Sequence, residues 1–401
     1  MEKKKKLMLI SPMLHQGGFE RVCITTARLL EPYFDITIVI FDSSNIGYDI
    51  EGLHIIDLNL GVQKGKIRKI LNIIKRSRKL RKLKKELKPN IAYSFGPTAN
   101  MVNAFSKTNS TKVWLGIRSY MDMGESVKLK LFTNLADLII CCSKVIEKEL
   151  KIKYKFNKTV TLYNLYDVEA IKKNAQEKEP ELPWQDADEQ GKKLRYLLSM
   201  GREDDVKGFW HMLKIFSQVQ KEIPEARLIL VGEGNFEEYK KLAEDLGISG
   251  CVCFTGMQRE PYKYLKKGEV YLLTSLNEGF PNALVEGMCL GLAAVSTDCM
   301  TGPAEILLGD ESADIDKKQE YKNTHVIYGD YGILVPPMSV EKDLDADHIL
   351  EEERDMAKVI VDLMQDKDKL DRYQKAAIER AQCFSYEKYI ERFLDLADLP
   401  E

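Results

Sequence analysis

The strongest constraint on this chain is a pattern that occurs twice. Short, unbroken apolar runs alternate with helical segments, then a polar stretch intervenes, then the alternation begins again. In the first half the runs fall at 7–10, 36–41, 53–58, 91–93, 113–115, 138–141 and 159–162, with a helical pattern over 19–30 between the first two. In the second half they fall at 196–200, 228–231, 252–255, 270–274 and 293–297, with helices at about 208–222, 236–246 and 281–291. A run at 332–336 adds a late strand, and 311–328 is a charged loop insertion. Helical pattern resumes near 349, and 386–396 closes the chain as an amphipathic helix. Apolar runs that do not alternate with polar residues suit strands covered on both faces, which means a parallel sheet between helix layers. The stretch 174–193, NAQEKEPELPWQDADEQGKK, is polar, aperiodic and carries two prolines. The expected class is α/β, with two doubly wound parallel-sheet (Rossmann-like) domains facing across a cleft. The expected bounds are 1–173, a linker at 174–193, 194–380, and a C-terminal helix within 381–401 that crosses back to the first domain. Such sheets bind ligands beyond the carboxyl ends of their strands.

Bulk properties agree with that layout. At 401 residues the chain is longer than one core usually supports, and 44% of it is apolar. The eight cysteines form no CxxC pair and several sit in apolar runs, as in Ile140-Cys-Cys142, so reduced core cysteines of a cytoplasmic protein are expected. No apolar run reaches the length of about 18 residues that spans a bilayer. Lys3 to Lys6 followed by Leu7-Met-Leu-Ile10 mimics a signal peptide, but Ser11-Pro12 ends it, and a first buried strand is the better reading. The net charge of −2 hides an asymmetry: residues 1–173 hold 32 Lys/Arg against 16 Asp/Glu, and the rest holds 28 against 46. The basic half is expected to face something anionic.

Chemistry concentrates where strands end. His15-Gln-Gly17-Gly18 follows the first strand and opens the first helix, so its glycines allow a ligand to approach helix-terminal amides. It is not the dinucleotide fingerprint, since GxGxxG is absent there, and Gly232-Glu-Gly234 lacks a third glycine. Arg202 and Lys207 flank the short loop after the first strand of the second half and could neutralise a diphosphate. Asn277-Glu278-Gly279-Phe280-Pro281-Asn282-Ala283-Leu284-Val285-Glu286 then places two acids around a helix start. Pro281 suits the first helical position, and the amides of Asn282 to Leu284 suit anionic oxygens. Carboxylates are good acceptors for sugar hydroxyls, and a glutamate on a helix as apolar as Ala283, Leu284 and Met288 make this one needs a partner. The combination suits a nucleotide sugar.

These residues carry a resemblance. The second half resembles the retaining glycosyltransferases of family 4, which have the GT-B fold. The matching residues are Gly201-Arg202, Lys207-Gly208, Val231-Gly-Glu-Gly234, Phe254-Thr-Gly256, Leu273-Thr-Ser275, Glu278-Gly-Phe-Pro-Asn282 with Glu286, Ser296-Thr-Asp-Cys299, Gly302-Pro303 and Glu305-Ile-Leu307. They span about 110 residues in order, and Gly17-Gly18 with Glu20-Arg21 fits the family's first loop. The resemblance implies that Glu286 binds the ribose hydroxyls and that Glu278, with the backbone beyond Gly279, contacts the transferred sugar. Arg202 and Lys207 would hold the diphosphate and stabilise the charge on the leaving nucleotide. Backbone at Gly256 and Met257 would meet the base. The stretch 298–307 is closest to members that use UDP-sugars for surface polysaccharides. Many members carry a histidine on the acceptor side where this chain has Arg118 in Gly116-Ile-Arg-Ser-Tyr120, so His15 and Arg118 are the acceptor-side candidates. Gly287 and Ala293 stand where Ala and Pro are common, with packing consequences only. No cofactor and no metal are expected: Asp186-Ala-Asp188 and Asp343-Leu-Asp345-Ala-Asp347 read as solvated acids.

Residues 64–88, KGKIRKILNIIKRSRKLRKLKKELK, hold 13 Lys/Arg and one acid. Ile67, Ile70, Leu71, Ile74, Leu80, Leu83 and Leu87 form an apolar stripe interrupted at Ser77. The expectation is a stripe packed inward with Lys75, Arg78, Lys79, Arg81, Lys82 and Lys85 turned to an anionic membrane surface on the cytoplasmic side. Nucleic acid would want aromatics for stacking, and this segment has none. The expected partners are therefore a UDP-sugar donor, a lipid-linked or growing glycan acceptor, and a membrane surface. Two alternatives stand beside transfer of a hexose-type sugar: a non-hydrolysing nucleotide-sugar epimerase, which needs an acid and a histidine as a proton-abstracting pair, and a catalytically inactive relative that binds glycan or membrane.

Overall fold

The computed structural model describes residues 4–15, 17–119, 126–185, 187, 191–309 and 325–398, and only the backbone of 126–128 and 132. The chain forms two compact units: one holds 1–165 and 386–401, the other 166–385.

The first unit opens with β1 (Lys5–Ser11), α1 (Gly18–Leu30), β2 (Phe34–Ile40), β3 (Ile55–Asp57), α2 (Lys66–Leu87) and β4 (Ile91–Phe95). It continues with α3 (Pro97–Phe105), β5 (Lys112–Ile117), α4 (Ser126–Thr133), β6 (Leu138–Cys141), α5 (Lys144–Lys153) and β7 (Thr159–Thr161). The strands are parallel in the order β3-β2-β1-β4-β5-β6-β7. Successive side chains of a strand point to opposite faces. Leu7 and Leu9 of β1 accordingly join one buried cluster and Met8 and Ile10 another.

The second unit contains α6 (Val168–Gln176), β8 (Arg195–Met200), α7 (Phe209–Glu222), β9 (Ala226–Val231), α8 (Glu237–Asp245) and β10 (Val252–Phe254). There follow α9 (Tyr262–Leu265), β11 (Val270–Leu273), α10 (Asn282–Cys289), β12 (Ala293–Thr297) and α11 (Pro303–Leu307). The unit ends with β13 (Ile327–Tyr328), β14 (Ile333–Val335), α12 (Glu351–Gln365) and α13 (Lys367–Gln382). Its sheet runs β10-β9-β8-β11-β12-β14-β13, which repeats the order of the first sheet through five strands and then differs, because β13 precedes β14 in the chain yet lies outside it, antiparallel at the edge. That edge strand had no sequence signal. In both sheets the winding reverses beside the first strand, between β1 and β4 and between β8 and β11.

The last helix, α14 (Tyr386–Asp398), belongs to the first unit. Its buried Phe393 lies 5.9 Å from the Phe34 ring and 5.5 Å from that of Trp114.

Two expectations need correction. The chain leaves the first unit after Leu165, not after residue 173, because α6 packs against α9 and α10 of the second unit. The expected linker also adheres to that unit: Trp184 Nε1 donates to Gly250 O at 2.7 Å, and Glu179 pairs with Lys266 at 2.7 Å and Lys267 at 3.0 Å. A polar composition marked exposure there, not freedom. Second, the apolar stripe of α2 does not all turn inward. Leu80 is buried, with Leu83 and Leu87 packed partly beside it, but Ile67 is 75% exposed, Ile70 59%, Leu71 51% and Ile74 41%. Polar side chains take the inner face of the first half because the neighbouring loop presents carbonyls. Asn72 donates to Gly61 O at 2.8 Å, and Arg76 donates to Leu60 O at 2.8 Å while lying over Phe41.

The 311–328 insertion falls largely outside the described residues. So do Tyr120 of the Arg118 loop, Gln16 of the first loop, and Asp186 and Asp188.

Candidate functional site

The loops that follow β8 and β11 meet where the second sheet reverses its winding. Lys207 ends a 3-10 turn over Asp205–Lys207, and its Nζ donates to Glu278 Oε1 at 2.7 Å. The ammonium side chain is 25% exposed and the carboxylate 11%, so the pair is sheltered yet reachable. Hydrogen bonds hold it from both sides. Ser275 Oγ donates to the same Glu278 oxygen at 2.7 Å, and Thr301 Oγ1 donates to the Glu278 carbonyl. Thr274 Oγ1 binds the Lys207 and Gly208 carbonyls at 3.0 Å each, and the Leu276 amide donates to Val206 O at 2.8 Å. Gly208 sits at φ +62°, and a Cβ there would lie 2.4 Å from Thr274 O. Only glycine allows the two loops this close.

Lys342 braces the turn from outside. It pairs with Asp205 at 2.8 Å and with Glu238, and lies 5.2 Å over the Tyr239 ring. Its hydrogen bond holds Asp205 below the usual carboxylate range.

Glu286 lies inside α10 and is 2% exposed. The fully buried Tyr271 feels the charge of both glutamates. Burial pushes the Tyr271 phenol up, and the charges of Glu286 and Glu278 push it further. Its hydroxyl accepts the Met200 amide at 3.1 Å, which anchors the ring to the end of β8. Gly287 faces the same ring, where a Cβ would come within 2.6 Å of Tyr271 Cδ2. A glycine stands there because the tyrosine occupies the room of a methyl group.

The expected helix start is shifted by one residue. Pro281 precedes α10, and the Leu284 amide donates to Pro281 O at 3.2 Å, which turns it away from a ligand. The other predicted members are on neighbouring loops. The Gly256 carbonyl accepts the Gly232 amide at 3.1 Å, and Met257 is 53% exposed beside it. Arg202 is the outlier: its side chain is 72% exposed and pairs with Asp204 at 3.0 Å. Of the connector acids, Asp343 is paired with the buried Lys214 at 2.8 Å and is not a free acid. Among the described residues no group of three or more His, Cys, Asp or Glu is arranged to hold a metal.

In the first unit Gly17 caps α1, its amide donating to the Tyr48 hydroxyl at 3.0 Å and its carbonyl accepting that hydroxyl at 2.7 Å. Gly18 is the first residue of the helix. His15 Nε2 contacts Ser44 O at 3.0 Å. Arg118 donates to Asn164 Oδ1 at 3.0 Å and to the Tyr93 hydroxyl, and lies 5.4 Å over the Phe95 ring. Burial acts to lower its pKa, but the phenols of Tyr93 and Tyr389 outweigh that and hold it up. All six cations expected to face a membrane are exposed, though Lys79 donates to Leu58 O and Arg81 to Phe105 O, both at 2.8 Å.

Sequence reasoning missed Ser275, Thr301, Tyr271 and Lys342. Ser275 and Thr301 lie within or beside the quoted motifs, while Tyr271 and Lys342 offered no signal.

Two sheets of mainly parallel strands, each reversing its winding beside its first strand and lying between helix layers, define the GT-B fold. The Anabaena protein HepE in complex with UDP shares it at a TM-score of 0.70 and 18% identity, over 98% of this chain and 100% of that one. The chain itself belongs to the glycosyltransferases. It is 31% identical over 347 residues to an uncharacterized glycosyltransferase of Methanocaldococcus jannaschii, covering 80% of this chain and 82% of that one. The model of the family "Glycosyl transferases group 1" matches residues 183–316. A Campylobacter jejuni enzyme, N-acetylgalactosamine-N,N'-diacetylbacillosaminyl-diphospho-undecaprenol 4-alpha-N-acetylgalactosaminyltransferase, is 25% identical over 77% of this chain and 84% of its own.

Proposed function

We propose that this glycosyltransferase is a retaining, metal-independent member of family 4 that moves a hexose-type sugar from a UDP-sugar to a lipid-linked or growing glycan. The carrying observation is the sheltered Lys207–Glu278 pair at the point where the sheet reverses its winding. Lys207, aided by Arg202, holds the diphosphate and stabilises charge on the leaving nucleotide. Glu278 and the backbone beyond Gly279 contact the transferred sugar, Glu286 takes the ribose hydroxyls, and backbone at Gly256 and Met257 meets the base. The bond from the sugar's anomeric carbon to the phosphate oxygen breaks, and the acceptor oxygen bonds to that carbon from the same face. The acceptor's proton passes to the departing phosphate oxygen. The two cations carry the role that a divalent ion fills elsewhere. HepE's structures with UDP and UDP-glucose support a UDP-hexose donor, and the Campylobacter enzyme's diphospho-undecaprenol substrate supports a lipid-linked acceptor. Assays over UDP- and GDP-sugars in EDTA, with anomeric configuration read by NMR, test this. Transfer from a UDP-hexose with retention is expected. Inversion, loss in EDTA, or an epimerised donor without transfer overturns it.

The acceptor reading extends to a membrane surface on the cytoplasmic side. No helix among the described residues is long and apolar enough to cross a bilayer. Instead, exposed Ile67, Ile70, Leu71 and Ile74 lie on α2 among exposed Lys75, Arg78, Lys82 and Lys85. An apolar row flanked by cations fits an anionic headgroup layer, each cation adding about 1 kcal/mol before screening. Ile70→Asp with Leu71→Asp should lower binding to vesicles rich in anionic lipid at least tenfold. Undiminished binding removes the membrane from the proposal.

A further inference from the structure

The chain passes between its units twice, at 165/166 and at 385/386. The two passages are joined on the second unit: the Tyr166 amide donates to Phe384 O at 3.0 Å, and Tyr166 bridges Ser385 in parallel. Each passage then touches the 278–286 segment, the loop and first turns of α10 that hold the two glutamates. Tyr166, 3% exposed, donates its hydroxyl to Asn282 Oδ1 at 2.5 Å, at the first residue of α10. Phe384, 3% exposed, meets the Phe280 ring edge-on at 5.3 Å. Arg380, buried under Phe384, also donates to the Glu305 and Ile306 carbonyls at 2.7 and 3.0 Å. These carbonyls belong to α11, whose preceding Gly302 has no room for a Cβ, which would lie 2.5 Å from Pro281.

We propose that Tyr166 and Phe384 are positioning residues that couple occupancy of the 278–286 loop to both chain passages. The geometry gives a direct route: whatever orders Phe280 and Asn282 orders the two side chains that contact them. A ligand shifts an equilibrium only by its different affinity for the two states, and such coupling is reciprocal. Nucleotide in the loop therefore stiffens the passages, and loosening the passages weakens the loop's catalytic geometry. This rests on the reading that the loop binds a nucleotide sugar.

Hydrogen exchange with and without UDP, alongside calorimetric UDP binding, tests it on the full chain. In the wild type, UDP should slow exchange at the Tyr166 amide and over 383–387 about tenfold. Tyr166→Phe removes one hydroxyl, and Phe384→Leu keeps an apolar side chain should the first variant fold poorly. In either, UDP should still bind within about threefold, while the protection falls to background and kcat drops more than KM changes. Protection that persists in both variants, or UDP binding without protection in the wild type, overturns the coupling alone. A wild type that binds neither UDP nor another nucleotide overturns both readings.

Discussion

Both units reverse their winding beside their first strand, yet the segments at the two reversals are joined differently. In the second unit the loops after β8 and β11 meet through Lys207 and Glu278, with Ser275, Thr274 and Thr301 fixing the pair. In the first unit Gly96, just after β4, faces the Phe19 ring at the start of α1, an apolar contact in which a Cβ would lie 3.5 Å from the ring. The fold thus specifies where a ligand can go, and loop chemistry decides whether the place reacts. The positive charge excess of the first unit lies elsewhere, mostly on α2.

The sharpest way to break this contrast is to remove the charge that makes it. Lys207→Ala leaves Glu278 half-buried without its cation and takes away the donor proposed to meet the diphosphate. A loss of about 100- to 1000-fold in kcat/KM is expected, the range for removing one preorganised charge-stabilising donor. Arg202→Ala, whose side chain is mostly exposed and already paired with Asp204, should cost about tenfold or less. Steady-state kinetics on the two variants decide it, and equal losses would show that Arg202 is as central as the sequence motif suggested.

A smaller effect tests the backbone. Gly208→Ala must hold φ +62° and push a methyl into Thr274 O, so about 3 kcal/mol of stability should go. Gly52→Ala in the first unit meets only the φ penalty, since nothing lies within 4 Å, and should cost about 1 kcal/mol. Denaturant unfolding compares them, and equal costs would mean that the close approach of the two loops is not enforced.

The same contrast explains what the sequence revealed. Glu278, Glu286, Lys207 and Gly208 were legible because their chemistry sits in contiguous stretches directly after strands. Arg118 was visible, but its setting was not. Tyr93, Asn164 and Tyr389 reach it from β4, from a loop after β7 and from the last helix, and no local pattern announces such a meeting. The orientation of α2 was misread for a related reason. Hydrophobic spacing marked a stripe, but carbonyls of the 58–61 loop drew Asn72 and Arg76 inward and turned four aliphatic side chains out.

Buried lysines carry the comparison to its smallest expected effect. Lys214 in the second unit is fully buried and paired with Asp343, whose carboxyl is held down to about 2 because Lys214, the Asp345 amide and His348 outweigh its desolvation. Lys84 in the first unit is equally buried but hydrogen-bonds to an amide residue, its Nζ donating to the Asn103 carbonyl at 3.0 Å and to Asn103 Oδ1 at 2.7 Å. Burial, with Arg81 adding to it, lowers Lys84 from 10.5 to about 7. The folded chain therefore gives up this proton more easily than the unfolded chain does. Between about pH 7 and 10.5 the unfolded state holds more protons, so the Lys84 contribution makes stability rise with pH and is least favourable below pH 7. Asp343 acts in a different window: its contribution is full above pH 3.8 and is lost as pH falls toward 2. Lys84→Met should flatten the rise in Tm from pH 7 to 10, over and above a constant loss from leaving Asn103 Oδ1 without its donor. The slope carries the test, not the offset. An unchanged slope would show that Lys84 keeps an ordinary pKa, and that an amide balances a buried ammonium in the first unit as well as a carboxylate does in the second.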